Sequence, residues 1–222
     1  MTIDKSLAWK KLLWQWLVAC VVAKLLQIIV DGVAGAVASA TGGGFTGGST
    51  SLLLILIVFR LTGGALGGTA QWLVLRQWLP SIRSWVLATS LGSAIALAVI
   101  NGLWAVTLMP PASGLIGGMM PTMSVLPQFL FDGTYGILLG VAQWLVLRTK
   151  VPQAGWWVLV SGVGAIASSI GIDVLQRFVG PMGIDVSQSA WNPFFWAIAS
   201  VSVVLYAAIS GGFLVWSLRQ RF

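Results

Sequence analysis

Six apolar stretches, each around 26 residues or longer, run through this chain and are parted only by Gly- and Pro-bearing turns. A segment of that length rises about 39 Å as a helix, enough to cross a hydrocarbon layer of ~30 Å with tilt or overhang. The turn signals place helices over 7–38, 51–76, 81–108 and 124–148, a fifth ending near 179, and a sixth over 192–219. The run from Thr41 to Ser49, with five glycines, cannot hold a helix and reads as a loop. Pro80 and Pro152 mark tight turns, and Pro110 and Pro111 end the third helix. The expected fold class is an all-α integral membrane protein of about six transmembrane helices in one domain.

Charge supports the same reading. Charged residues make up 8% of the 222 positions, too few to keep a water-soluble surface apart from its neighbours. The net charge of +7 does not describe a nucleic-acid site, because the basic residues are scattered in ones and twos at the ends of apolar segments. Lys5, Lys10, Lys11, Arg76, Arg83, Arg148, Lys150, Arg219 and Arg221 all fall on one side of the six-span arrangement. The positive-inside bias then places both termini in the cytoplasm, in a bacterial inner (plasma) or thylakoid-type membrane. The first segment is too long, and carries Lys24 and Asp31, to be a cleavable leader.

Residue types absent from the chain narrow the chemistry. It has no histidine and one cysteine, Cys20, which excludes His-ligated zinc, a Ser-His-Asp triad and an internal disulfide. The glycine run is not followed by Gly-Lys-Ser/Thr and is no phosphate loop. Met109, Met119, Met120 and Met123 cluster in one loop and read as interfacial packing rather than a copper site. No cofactor, metal or catalytic residue is expected, and the chain reads as non-enzymatic.

The chain also repeats itself. Gly64-x-x-x-Gly68-x-x-Gln71-Trp72-Leu73-Val74-Leu75-Arg76 recurs 72 residues later as Gly136-x-x-x-Gly140-x-x-Gln143-Trp144-Leu145-Val146-Leu147-Arg148, and 16 of 31 positions from Thr62 to Gly92 are identical under that shift. Fainter copies begin at Trp16 and around Gly211 to Arg219, so the chain divides into helical hairpins over approximately 7–76, 81–148 and 153–219. A pseudo-threefold bundle is the natural arrangement of such parallel repeats. Glycines four apart let helices approach closely, while Trp72 with Arg76 and Trp144 with Arg148 suit headgroup anchors. Gln71 and Gln143, about a turn inside, are placed to bond a neighbouring helix. The thirteen tryptophans, concentrated near span ends, suit interface belts. The repeated segment resembles those of uncharacterised, cyanobacterial-type polytopic membrane proteins, a resemblance that implies no activity and no functional residues.

A few polar residues interrupt the spans. Asn101 and Asp173 are repeat equivalents, Arg60 and Asp132 are another pair, and Asp31 falls near the same level. Each lies about 22–24 Å along its helix from the anchor residues. Lys24 lies nearer mid-membrane, about 12 Å from Trp16, on one helix face with Gln27 or Ile28, and Asp31. Arg177, one turn beyond Asp173, can pair with it, and Arg60 can pair with Asp31 or Asp132. The layer reads either as charges that neutralise one another or as an outward-opening polar pocket. The leading expectation is an accessory or assembly subunit that packs against lipid, pigment, a larger membrane complex or its own copies. The alternative is a small transporter or solute-binding component using that pocket.

Overall fold

A computed structural model describes residues 5–40, 50–79, 81–107, 125–183 and 193–220. They form six helices: α1 (Lys5–Ala40), α2 (Thr50–Leu75), α3 (Ser84–Thr107), α4 (Val125–Leu147), α5 (Trp156–Val179) and α6 (Pro193–Arg219). All six are long and apolar enough to cross a membrane, and their bounds lie within a few residues of the sequence reading. Thr41–Ser49, Pro80, Pro110, Pro111 and the four loop methionines fall outside the described residues.

Among those residues the backbone of each helix packs on its neighbours in the chain, α6 returns to α1, and other pairs of helices meet only through long side chains reaching across the interior. The bundle is therefore a closed ring. Its outer wall is apolar: on α3, Leu87, Leu91, Ile95 and Val99 recur every four residues and are all exposed. That stripe is a lipid-facing surface. In lipid, apolar burial contributes little to helix association, so close packing and buried hydrogen bonds must hold the ring.

The repeated glycines supply that packing. A β-carbon on Gly64 would lie 2.8 Å from Ser90 Cα, and one on Gly136 would lie 2.6 Å from the Ser161 carbonyl oxygen and 3.1 Å from Gly162 Cα. Gly68 and Gly140 lie in the same way against Val86 and Val158. Thus α2 rests on α3 and α4 rests on α5 through equivalent backbone contacts.

The connecting turns match as well. Leu79 N donates to the Leu75 carbonyl at 2.8 Å and Val151 N to that of Leu147 at 2.9 Å. Ser81 (φ 63°) and Gln153 (φ 55°), equivalent positions one residue past Pro80 and Pro152, are both left-handed. Non-glycine residues seldom adopt that conformation, which here reverses the chain between two closely packed helices.

Candidate functional site

At the end of the ring where α1 begins and α6 ends, Trp16, Trp85 and Trp157 come from α1, α3 and α5, no two of which are neighbours. Their indoles meet edge to face at the axis, with centroids 6.4, 6.0 and 5.8 Å apart, and all three are fully buried. Leu12, Leu75, Leu79, Ile82, Leu147, Leu214 and Leu218 fill the space around them. This end is a solid plug. The expectation that tryptophans mark the interface fails for these three, which face inward, Trp85 and Trp157 from the first turns of their helices and Trp16 from further along α1; it suits Trp156, exposed beside the buried Trp157.

A dry plug requires an acceptor for each indole N–H. Trp85 Nε1 donates to Gln71 Oε1 at 3.3 Å, Trp157 Nε1 to Gln143 Oε1 at 3.0 Å and Trp16 Nε1 to Ser210 Oγ at 2.9 Å. These bonds join α2 to α3, α4 to α5 and α6 to α1, so they stitch adjacent hairpins together rather than the two helices within one. Each glutamine also reaches onward: Gln71 Nε2 to Cys20 Sγ at 3.8 Å and Gln143 Nε2 to Thr89 Oγ1 at 3.1 Å. The equivalent acceptor on α5 is Ser161, whose buried Oγ faces the Tyr206 hydroxyl of α6 and receives no glutamine. The reason lies in α6, which carries Leu214 where the other copies have glutamine. Around the rim, Arg76 lies 4.9 Å over Trp72, Arg148 5.9 Å over Trp144 and Arg219 5.7 Å over Trp9, as anchors at a headgroup boundary would.

Two to four helical turns further along the axis the lining changes from apolar to ionic. The Arg60 guanidinium (α2) pairs with Asp31 Oδ2 (α1) at 3.4 Å, and Gln27 Nε2 donates to Asp31 Oδ1 at 2.8 Å. The same guanidinium lies 5.9 Å over the Tyr135 ring of α4. Because α2 and α4 are not neighbours, that contact passes through the interior of the ring. Asp132, also on α4, accepts from Ser169 Oγ of α5. Ser93 Oγ donates to the Arg60 carbonyl at 3.0 Å and faces Tyr135. Lys24 is half-buried and within electrostatic reach of Arg60, Asp31 and Asp132. It forms no ion pair and no hydrogen bond among the described residues.

Of the seven candidate polar residues, Arg60 and Asp31 therefore touch, and Lys24 and Asp132 lie within electrostatic reach of that pair. The other three do not join them. Asn101 Nδ2 turns back on its own helix to the Leu97 carbonyl at 2.8 Å, and Asp173 takes Arg177 Nε at 2.8 Å along α5, with Arg177 largely exposed. Equal height along the helices placed them in the layer, but height does not fix which way a side chain points. Tyr135, Ser93 and Ser169 complete the cluster and were not singled out in the sequence. One signal was present for Tyr135: it stands where the first copy of the repeat has Gly63.

Comparison with protein-family models, curated proteins and solved structures finds no match to this chain.

Proposed function

We propose that the chain binds a small polar solute inside the ring, beyond the tryptophan plug, as a transporter or the solute-binding membrane component of one. The observation that carries this reading is Lys24. An ionisable group on the inner face of a membrane bundle is costly unless paired, and Lys24 lies among charges without forming an ion pair with any described residue. A cluster that served only to neutralise itself would be expected to pair both of its cations. The basic rim at the plug end puts that end in the cytoplasm by the positive-inside rule, so the polar chamber faces the opposite side of a plasma or thylakoid-type membrane. The reading includes no chemical step and no cofactor.

An accessory or assembly role is the second reading, favoured by the apolar outer wall, which lipid, pigment, another subunit or a second copy can cover. It loses one of its supports, because Gly64, Gly68, Gly136 and Gly140 are already occupied by helices of the same chain. Native mass spectrometry on protein extracted gently from its own membrane separates the two. A small molecule at one per chain, lost on Lys24→Met without a change in melting temperature, is the expected result. Co-purifying subunits with no small molecule, and a Lys24→Met variant that merely melts earlier, would decide for the accessory role.

A further inference from the structure

Within the cluster the four charges are not equally satisfied. Arg60 and Asp31 hold each other, and Gln27 occupies the second oxygen of Asp31. Among the described residues Lys24 has no ion-pair or hydrogen-bond partner, and Asp132 takes one hydrogen bond, from Ser169 to Oδ2. Lys24 belongs to α1 and Asp132 to α4, opposite members of a six-membered ring. They are near enough to interact electrostatically but do not touch. A cation and an anion thus stand on opposite helices of the ring, within electrostatic reach of each other and of the Arg60–Asp31 pair.

Net charge restricts what can bridge the two. Lys24 and Arg60 balance Asp31 and Asp132, so the cluster is neutral as it stands. Inside a membrane bundle a net charge is expensive. A simple anion on Lys24 would leave the chamber negative, and a simple cation on Asp132 would leave it positive. A ligand that carries both signs satisfies both residues and keeps the chamber neutral.

We infer that the solute is a zwitterion with a primary ammonium group and an oxyacid anion, its anionic end on Lys24 Nζ and its ammonium on Asp132. This rests on the solute-binding reading above and names the class of solute. The ammonium donates to the carboxylate, and the lysine donates to the anion, as charge-assisted hydrogen bonds. Two sources present that chemistry: a free α-amino acid and the headgroup of an aminophospholipid.

The test uses the full chain in nanodiscs of phosphatidylglycerol alone, titrated with α-amino acids from glycine to phenylalanine, and with acetate and methylammonium as single-charge controls. At least one amino acid is expected to bind, and both controls to fail at the same concentrations. Lys24→Met and Asp132→Asn should each weaken binding at least tenfold, Lys24→Arg should retain most of it, and Asp173→Asn, outside the cluster, should not change it. Discs doped with phosphatidylethanolamine supply the second arm. Lipid retained one per chain by the wild type, and lost from Lys24→Met and Asp132→Asn, assigns the site to a headgroup instead of a free amino acid. Acetate binding as tightly as any amino acid would overturn the zwitterion while leaving a solute site in place. So would amino-acid binding that survives both Lys24→Met and Asp132→Asn. If folded protein, judged by its melting curve, binds none of these probes and retains no lipid, the solute-binding reading falls with it.

Discussion

The two halves of the ring are built from the same six helices and solve opposite problems. The plug half repeats itself: the same Gly contacts, the same indole-to-glutamine bond and the same buried leucines return in successive copies. The chamber half is where the copies diverge. Arg60 is answered by Asp132, Gly63 by Tyr135 and Ser93 by Ala165. Repetition makes a symmetric, closed contact around an axis, while charge complementarity and a binding site both require unlike residues at like positions. In this chain, departure from the repeat marks the chamber better than any single motif does.

That contrast can be broken from the plug side first. Trp157→Ala removes one of three mutually packed indoles and strands Gln143. A loss of roughly 3 kcal/mol is expected, toward the low end for aromatic truncation because lipid supplies little transfer term. Thermal unfolding in detergent should show a markedly lower midpoint, and an unchanged midpoint would mean that the trio is not what closes the ring. Next comes Gly136→Val, whose side chain would press on the Ser161 carbonyl and Gly162 backbone, at a cost of about 1–3 kcal/mol. The same assay reads it, and Gly102→Val, where a β-carbon meets nothing within 4 Å, is the matched control.

Gln143→Leu leaves the Trp157 indole without its acceptor and Thr89 without its donor, for an expected loss of about 1–2 kcal/mol. Indole fluorescence should report a changed environment together with the lower midpoint. The smallest effect has the opposite sign. Leu214→Gln installs the missing glutamine of the third copy opposite Ser161, which has only the Tyr206 hydroxyl beside it, and should raise stability by about 0.5 kcal/mol. A drop instead would show that α6 does not stand in the same register as α2 and α4.

The helices were legible because nothing else accounts for apolar runs of that length, and the turns because proline and glycine punctuate them. Gln71 and Gln143 were read as bonding a neighbouring helix, and they do. What the sequence withheld was rotation about each helix axis. Trp156 and Trp157 are adjacent and identical in composition terms, yet one is exposed and the other lies on the axis of the ring. Asn101 and Asp173 stand at the height expected, but their nearest described polar partners belong to their own helices, so they never reach the cluster. The pairing of Arg60 with Asp31 was one of two alternatives open in the sequence. The choice between them is made by the packing of α1 on α2, where the Gln27 side chain lies on the bare Cα of Gly63.

The bond from Trp16 to Ser210 spans 194 residues and lies at the seam where α6 meets α1. During synthesis α1 enters the bilayer first and α6 last of the six. Five helices can lie side by side in order of arrival, but the plug is sealed only when the sixth reaches back to the first. Until then the inner face of α1, with Lys24 on it, is held on one side only. Closure is therefore a single late step with high contact order, and a nascent chain halted before α6 would present an open arc of helices with its ionic lining unsealed.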